Sequence, residues 1–153
     1  MQRSHGQHIV FATRDQLVQI WMATAGRKIL TYDGHCNRQW AWVNSLAWSP
    51  TGEYIASGDM NGIIQVWTAT SGKTIATCRG HSAPIHGVIW SPDGKSIASA
   101  SGDSTVQVWE ATTGKSTLSH RHAAPVYAVS WSPDGKNIAS GGDDHTVQVW
   151  QLL

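Results

Sequence analysis

Residues 81–109 read HSAPIHGVIWSPDGKSIASASGDSTVQVW, and residues 122–150 read HAAPVYAVSWSPDGKNIASGGDDHTVQVW. The two stretches align without a gap, with 19 of 29 positions identical. Self-similarity at a fixed period of about 40 residues is the signature of a repeat architecture. The period runs through the rest of the chain. Trp21, Trp67, Trp109 and Trp150 are spaced by 46, 42 and 41 residues, and each closes a similar segment of the form Val/Ile-Gln-Val/Ile-Trp. A second set, Trp48, Trp90 and Trp131, precedes Ser-Pro in each full unit.

Within a unit the signals are those of short strands. Val88-Ile89-Trp90 is apolar and β-branched. Ser91-Pro92-Asp93-Gly94 then reads as a turn, because Pro presets φ at its second position and Gly tolerates positive φ. Ile97-Ala98-Ser99 is the next strand and Gly102-Asp103-Ser104 the next turn. Thr105 to Trp109 alternates with period two, the pattern of a half-buried strand, and Thr113-Gly114-Lys115 turns again. Short strands with turn signals about every ten residues predict an all-β repeat architecture.

Composition narrows the function classes. The chain has 153 residues, a net charge of +1 and only 14% charged residues, with no run of like charges. A nucleic-acid binder usually carries a basic patch or stripe, so no nucleic-acid partner is expected. No stretch approaches 18 consecutive apolar residues, so no membrane-spanning helix is expected. The N-terminal residues lack the apolar core of a signal peptide. Cys36 and Cys78, 42 residues apart, read as two reduced thiols of a cytoplasmic protein rather than a disulfide framework.

Gly34-His35, Gly80-His81 and the variant Arg121-His122 each open a unit that ends in Val/Ile-Trp. In this the chain resembles the WD40 repeat family, over nearly its whole length and with about three and three-quarters repeats. The resemblance implies a β-propeller of four-stranded blades. It divides the chain into a partial unit at about 1–34, full units at 35–80 and 81–121, and a partial unit at 122–153. Aligning Gly6 with Gly135 predicts a first blade without its inner strand and a last blade without its outer one.

The resemblance also implies a buried hydrogen-bond network of His, Ser, Asp and Trp in each unit. Those residues are His81, Ser99, Asp103 and Trp109, then His122, Ser140, Asp144 and Trp150. In the first full unit they are His35, Ser57, Asn61 and Trp67, where Asn61 in place of Asp is expected to weaken the bond. In the N-terminal unit Asp15 and Trp21 match, but Phe11 replaces the Ser. A Ser-His-Asp set could be mistaken for a hydrolase triad. A set repeated in every unit reads as structural, so no catalytic residue is expected. Gly72-Lys73-Thr74 and Gly114-Lys115-Ser116 imitate the end of a phosphate loop, but Trp67 and Trp109 stand where its first Gly is required, so no cofactor is expected. His120-Arg121-His122 and His35-Cys36 lack zinc spacing, so no metal is expected.

An open half-ring would expose blade faces and strand edges. The expected remedy is a second copy of the chain, in a homodimer that closes an eight-bladed ring, or a six-bladed one if the first strands release. In this family partners often dock on one loop face. Asn44, His86 and Tyr127 fall at the corresponding strand starts. An insertion of four residues between His35 and Trp48 lies around Asn37-Arg38-Gln39-Trp40 and is followed by Ala41-Trp42, and Trp and Arg are enriched at binding hot spots. The alternative for Trp40 and Trp42 is that they plug the channel or pack at the seam between chains. The expectation is a non-enzymatic scaffold for protein or peptide ligands. The competing reading is a truncated or engineered self-assembling propeller with no dedicated ligand.

Overall fold

The computed structural model describes residues 2–4, 7–36 and 39–152, with the side chains of residues 2–4 outside that description. The Gly6 alignment point therefore lies outside the described residues. Among the described residues, fifteen strands form four antiparallel sheets. The first holds β1 (Gln2–Ser4), β2 (His8–Ala12), β3 (Val18–Met22) and β4 (Arg27–Tyr32). The second holds β5 (Val43–Trp48), β6 (Tyr54–Asp59), β7 (Ile64–Thr68) and β8 (Thr74–Cys78). The third holds β9 (Ile85–Trp90), β10 (Ser96–Ser101), β11 (Thr105–Glu110) and β12 (Ser116–Arg121). The fourth holds β13 (Val126–Trp131), β14 (Asn137–Gly142) and β15 (Val147–Gln151). Each sheet is a meander in which sequence neighbours pair. These are the blades of a partial propeller, and the ring is not closed.

One expectation needs correcting. The first blade does not lack its inner strand: Gln2, Arg3 and Ser4 pair with Val10, Ile9 and His8. The sequence concealed this because three polar residues carry no apolar alternation, and a ladder forms through backbone groups alone. The last blade has three strands, with β15 at its outer edge.

The Ser-Pro turns explain why the strands start where they do. Gly94 sits at φ +70° and its N–H donates to Ser91 O at 2.9 Å. Asp93 Oδ1 accepts from Ser91 Oγ at 2.6 Å and from Lys95 N at 3.1 Å. Ser91 Oγ in turn accepts the first strand amide, Ser96 N, at 3.0 Å. Tyr54 N and Asn137 N donate in the same way to Ser49 Oγ and Ser132 Oγ. One short motif thus fixes the hairpin between first and second strands in three blades.

The core lies between blades. Val18 and Ile20 of the first blade pack with Ile55 and Trp67 of the second. Ile64 and Val66 pack with Ile97 and Trp109 of the third. Val108 packs with Ile138 and Trp150 of the fourth, and Val106 packs with Trp150. Polar ties accompany the packing: Trp90 Nε1 donates to Ala47 O at 3.1 Å, and Val88 N donates to Ser45 Oγ at 3.0 Å. Tyr32, at the end of β4, stacks on Trp67 with ring centres 4.3 Å apart.

Two turn glycines separate local strain from blade contact. Gly94 and Gly114 both have φ of +70°. A Cβ on Gly94 would meet nothing closer than Pro50 Cδ at 3.6 Å, whereas one on Gly114 would come within 2.6 Å of Thr77 O in the preceding blade. Gly94→Ala is expected to lose about 1–2 kcal/mol, the ordinary cost of a left-handed alanine. Gly114→Ala is expected to lose clearly more. Urea denaturation of the two variants checks this, and equal losses would contradict it.

Candidate functional site

The third blade shows the buried network most fully. Trp109 Nε1 donates to Ser99 Oγ at 2.8 Å, and Ser99 Oγ lies 2.8 Å from His81 Nε2. His81 Nδ1 lies 2.8 Å from Asp103 Oδ2. One donor order satisfies all four groups: Trp N–H to Ser, Ser O–H to Nε2, and Nδ1–H to the carboxylate. Asp103 Oδ1 also accepts from Thr105 N at 2.9 Å and Oγ1 at 2.6 Å, and Oδ2 accepts from Ser82 N at 3.0 Å. In the fourth blade His122 bridges Asp144 and Ser140, at 2.8 Å each, and Trp150 Nε1 donates to Ser140 Oγ at 3.3 Å.

In the second blade the acid is Asp59, not Asn61. His35 Nδ1 donates to Asp59 Oδ2 at 2.9 Å, and Ser57 and Trp67 complete the chain. Asp59 Oδ1 accepts from the amides of Asn61 and Ile63 at 2.9 Å each, so a carboxylate two residues earlier reaches the same imidazole. Counting from Ser57 to Asn61 kept the spacing of the later units but not the chemistry. A buried imidazole N–H pairs best with a charged acceptor, and Asp59 is the carboxylate in the segment. Asn61 Nδ2 instead donates to Gln39 O at 3.1 Å, tying down the insertion. In the first blade Trp21 Nε1 donates to Gln19 Oε1 at 3.0 Å, and Phe11 lies beside the indole.

In these sets the serine hydroxyl faces the blade interior and not solvent. Ser57, Ser99 and Ser140 are buried, and each hydroxyl oxygen already accepts an indole N–H. In the second, third and fourth blades the network holds the strands to the loop that carries the His.

The loop face is built by a repeated backbone tie. Trp42, Pro84 and Pro125 accept from the amides of Met60, Gly102 and Asp143 at 2.9, 3.0 and 2.9 Å. Two residues later Asn44, His86 and Tyr127 occupy the second positions of the inner strands β5, β9 and β13. Asn44 Nδ2 donates to Ile85 O at 3.2 Å. The His86 and Tyr127 rings meet at 4.7 Å, and Tyr127 Oη donates to Asp143 Oδ2 at 3.0 Å. Trp40 is 62% exposed and packs edge-on against Trp42 at 5.7 Å. Trp40 has φ of +61°, a conformation bulky residues rarely adopt. Arg38, grouped with them on sequence, lies outside the described residues.

Two apolar faces of the half-ring are open. In the third strands of the first three blades, Val18, Ile20, Ile64, Val66, Val106 and Val108 are all buried. Their counterparts in the fourth blade, Val147 and Val149, are 77% and 69% exposed. At the other end Ile9, Phe11, Trp21, Met22, Ala23 and Gly26 line an open apolar cleft of about 260 Å³. Counting back from Trp150 and Trp21 locates these positions in the repeat, but their exposure is visible only in the structure.

The network makes the fold acid-sensitive. Burial holds the His81 imidazole below its ordinary value of 6.5. Partial burial pushes the Asp103 carboxyl up, but hydrogen bonds from Thr105, His81 and Ser82 outweigh it and leave the group below its ordinary value. In both cases the unfolded chain takes up protons that the folded one excludes. The His81 contribution is full above about pH 6.5 and falls as pH drops below it. The Asp103 contribution is lost lower, as pH falls through the carboxylate range. The urea midpoint is expected to fall between pH 7 and pH 5, and to fall less in His81→Gln. An equal fall in both proteins would contradict this.

The WD domain, G-beta repeat family matches the chain three times, at residues 26–68, 72–110 and 114–151. No curated protein matches it. The matched segments cover most of the chain, and each holds a Ser-Asp pair and the closing Trp or its neighbours in the blade geometry described above. The chain belongs to the WD40 repeat family.

Proposed function

We propose that this protein is a non-enzymatic protein-interaction scaffold whose half-ring is completed by a second copy of itself. The observation that carries the reading is the contrast in the third strands. Six apolar positions are buried against a following blade, while Val147 and Val149 are 77% and 69% exposed. Full burial of an aliphatic side chain contributes about 1.5–3 kcal/mol, so an uncovered face of this kind favours association. Two copies with four blades each would make a ring of eight. That β2 and β3 are held in a four-stranded sheet with β4 favours eight over six. Two free thiols, Cys36 and Cys78, support a reducing cytoplasmic setting.

A protein or peptide ligand would dock on the loop face. Trp40, Trp42 and Tyr127 are exposed aromatics there, at 62%, 41% and 48%, beside Asn44 and His86. Trp40 and Trp42 pack on each other, and the strained Trp40 backbone holds the pair outward. This favours recognition over a propeller with no ligand.

Light scattering after size exclusion tests the assembly. A mass of twice 16.6 kDa is expected, and a mass of 16.6 kDa at every concentration would contradict it. The Trp40→Ala, Trp42→Ala protein is expected to keep the doubled mass. Loss of the dimer in that protein would move the pair from the ligand face to the seam.

A further inference from the structure

The two uncovered faces are not alike, and the internal junctions say which goes with which. Every junction in the chain has the same polarity. The third strand of one blade presents two branched aliphatics, and the next blade receives them with an Ile and a Trp paired across its second and third strands. Val18 and Ile20 meet Ile55 and Trp67. Ile64 and Val66 meet Ile97 and Trp109. Val106 and Val108 meet Trp150, and Val108 also meets its partner Ile138.

One presenting pair and one receiving pair are left over. Val147 and Val149 present outward from β15. Ile9 and Trp21 are paired across β2 and β3 in the register of Ile55 and Trp67, and both line the open cleft with Phe11 and Met22. In the first blade Phe11 replaces the network Ser, so the receiving face is more apolar there than at any internal junction.

From this we infer that the chain pairs head to tail: Val147 and Val149 of one copy seat against Ile9 and Trp21 of a second copy. The same contact, made in reverse, closes the ring. The contact is heterologous: the surface that gives is not the surface that receives. It rests on the two-copy reading above, and it rules out the alternatives in which Val face meets Val face or cleft meets cleft. A heterologous contact closes only if its rotation sums to a full turn. Repeating an internal junction at both seams supplies the same step from blade to blade that the chain already uses three times.

Charge-swapped variants test the polarity. One protein carries Val147→Lys and Val149→Lys. The other carries Ile9→Glu and Phe11→Glu. Head-to-tail pairing predicts that each alone stays at 16.6 kDa, because every possible seam then includes one blocked face. Mixed together they are expected to regain the doubled mass, because one seam is then unaltered and the other joins Lys to Glu. If only one of the two proteins loses the dimer, or if the mixture stays monomeric, the polarity is overturned while the two-copy reading stands. If the unaltered chain is itself monomeric, the two-copy reading fails first, and this inference fails with it. Circular dichroism confirms that each variant is folded. Should the Glu pair prevent folding, Met22→Glu at the same cleft replaces it, with the same expectation for the mixture.

Discussion

The contact between neighbouring blades is the interaction on which the rest of the structure depends. A single four-stranded meander has too little apolar surface to hold itself together in water. Here each of the first three blades buries its branched aliphatics against the Ile and Trp of the next. Trp67 and Trp109 are completely enclosed in this way. Trp67, Trp109 and Trp150 each belong to two systems at once: the ring fills the junction with the preceding blade, and the indole N–H anchors the Ser of its own network. Removing a junction would therefore loosen the blade's internal order as well as expose its face.

The polar network complements that packing. A buried imidazole, hydroxyl and carboxylate would be costly if any were unpaired. In the second, third and fourth blades each finds its partner, in the same order and within 2.9 Å of the His. Among the described residues the first blade shows no such network, and its apolar side lines an open cleft. The last blade keeps the network but leaves its aliphatics uncovered. The two faces thus differ: one carries an apolar cleft and the other two exposed aliphatics.

Much of this was legible in the sequence because a repeat reports its own register. The spacing of Trp67, Trp109 and Trp150 located the third strands, and the Ser-Pro turns located the hairpins before them. The His, Ser and Trp of each network followed from the same alignment, as did Asp103 and Asp144. Two features did not follow. Gln2–Ser4 pairs through its backbone, which leaves no pattern in side-chain type. Asp59 reaches the His35 imidazole from two residues before the expected position, because the loop rather than the count decides where a carboxylate lands. The exposure of Val147 and Val149 was hidden for a different reason. Their sequence matches that of Val106 and Val108, and only the missing neighbour sets them apart.

In the proposed assembly a second copy of the chain covers the blade faces at both ends. A dilution series of the unfolding temperature tests it most directly, because anything that binds only the folded state makes stability depend on concentration. The midpoint is expected to rise steadily with protein concentration. A midpoint that stays constant across the series would contradict it.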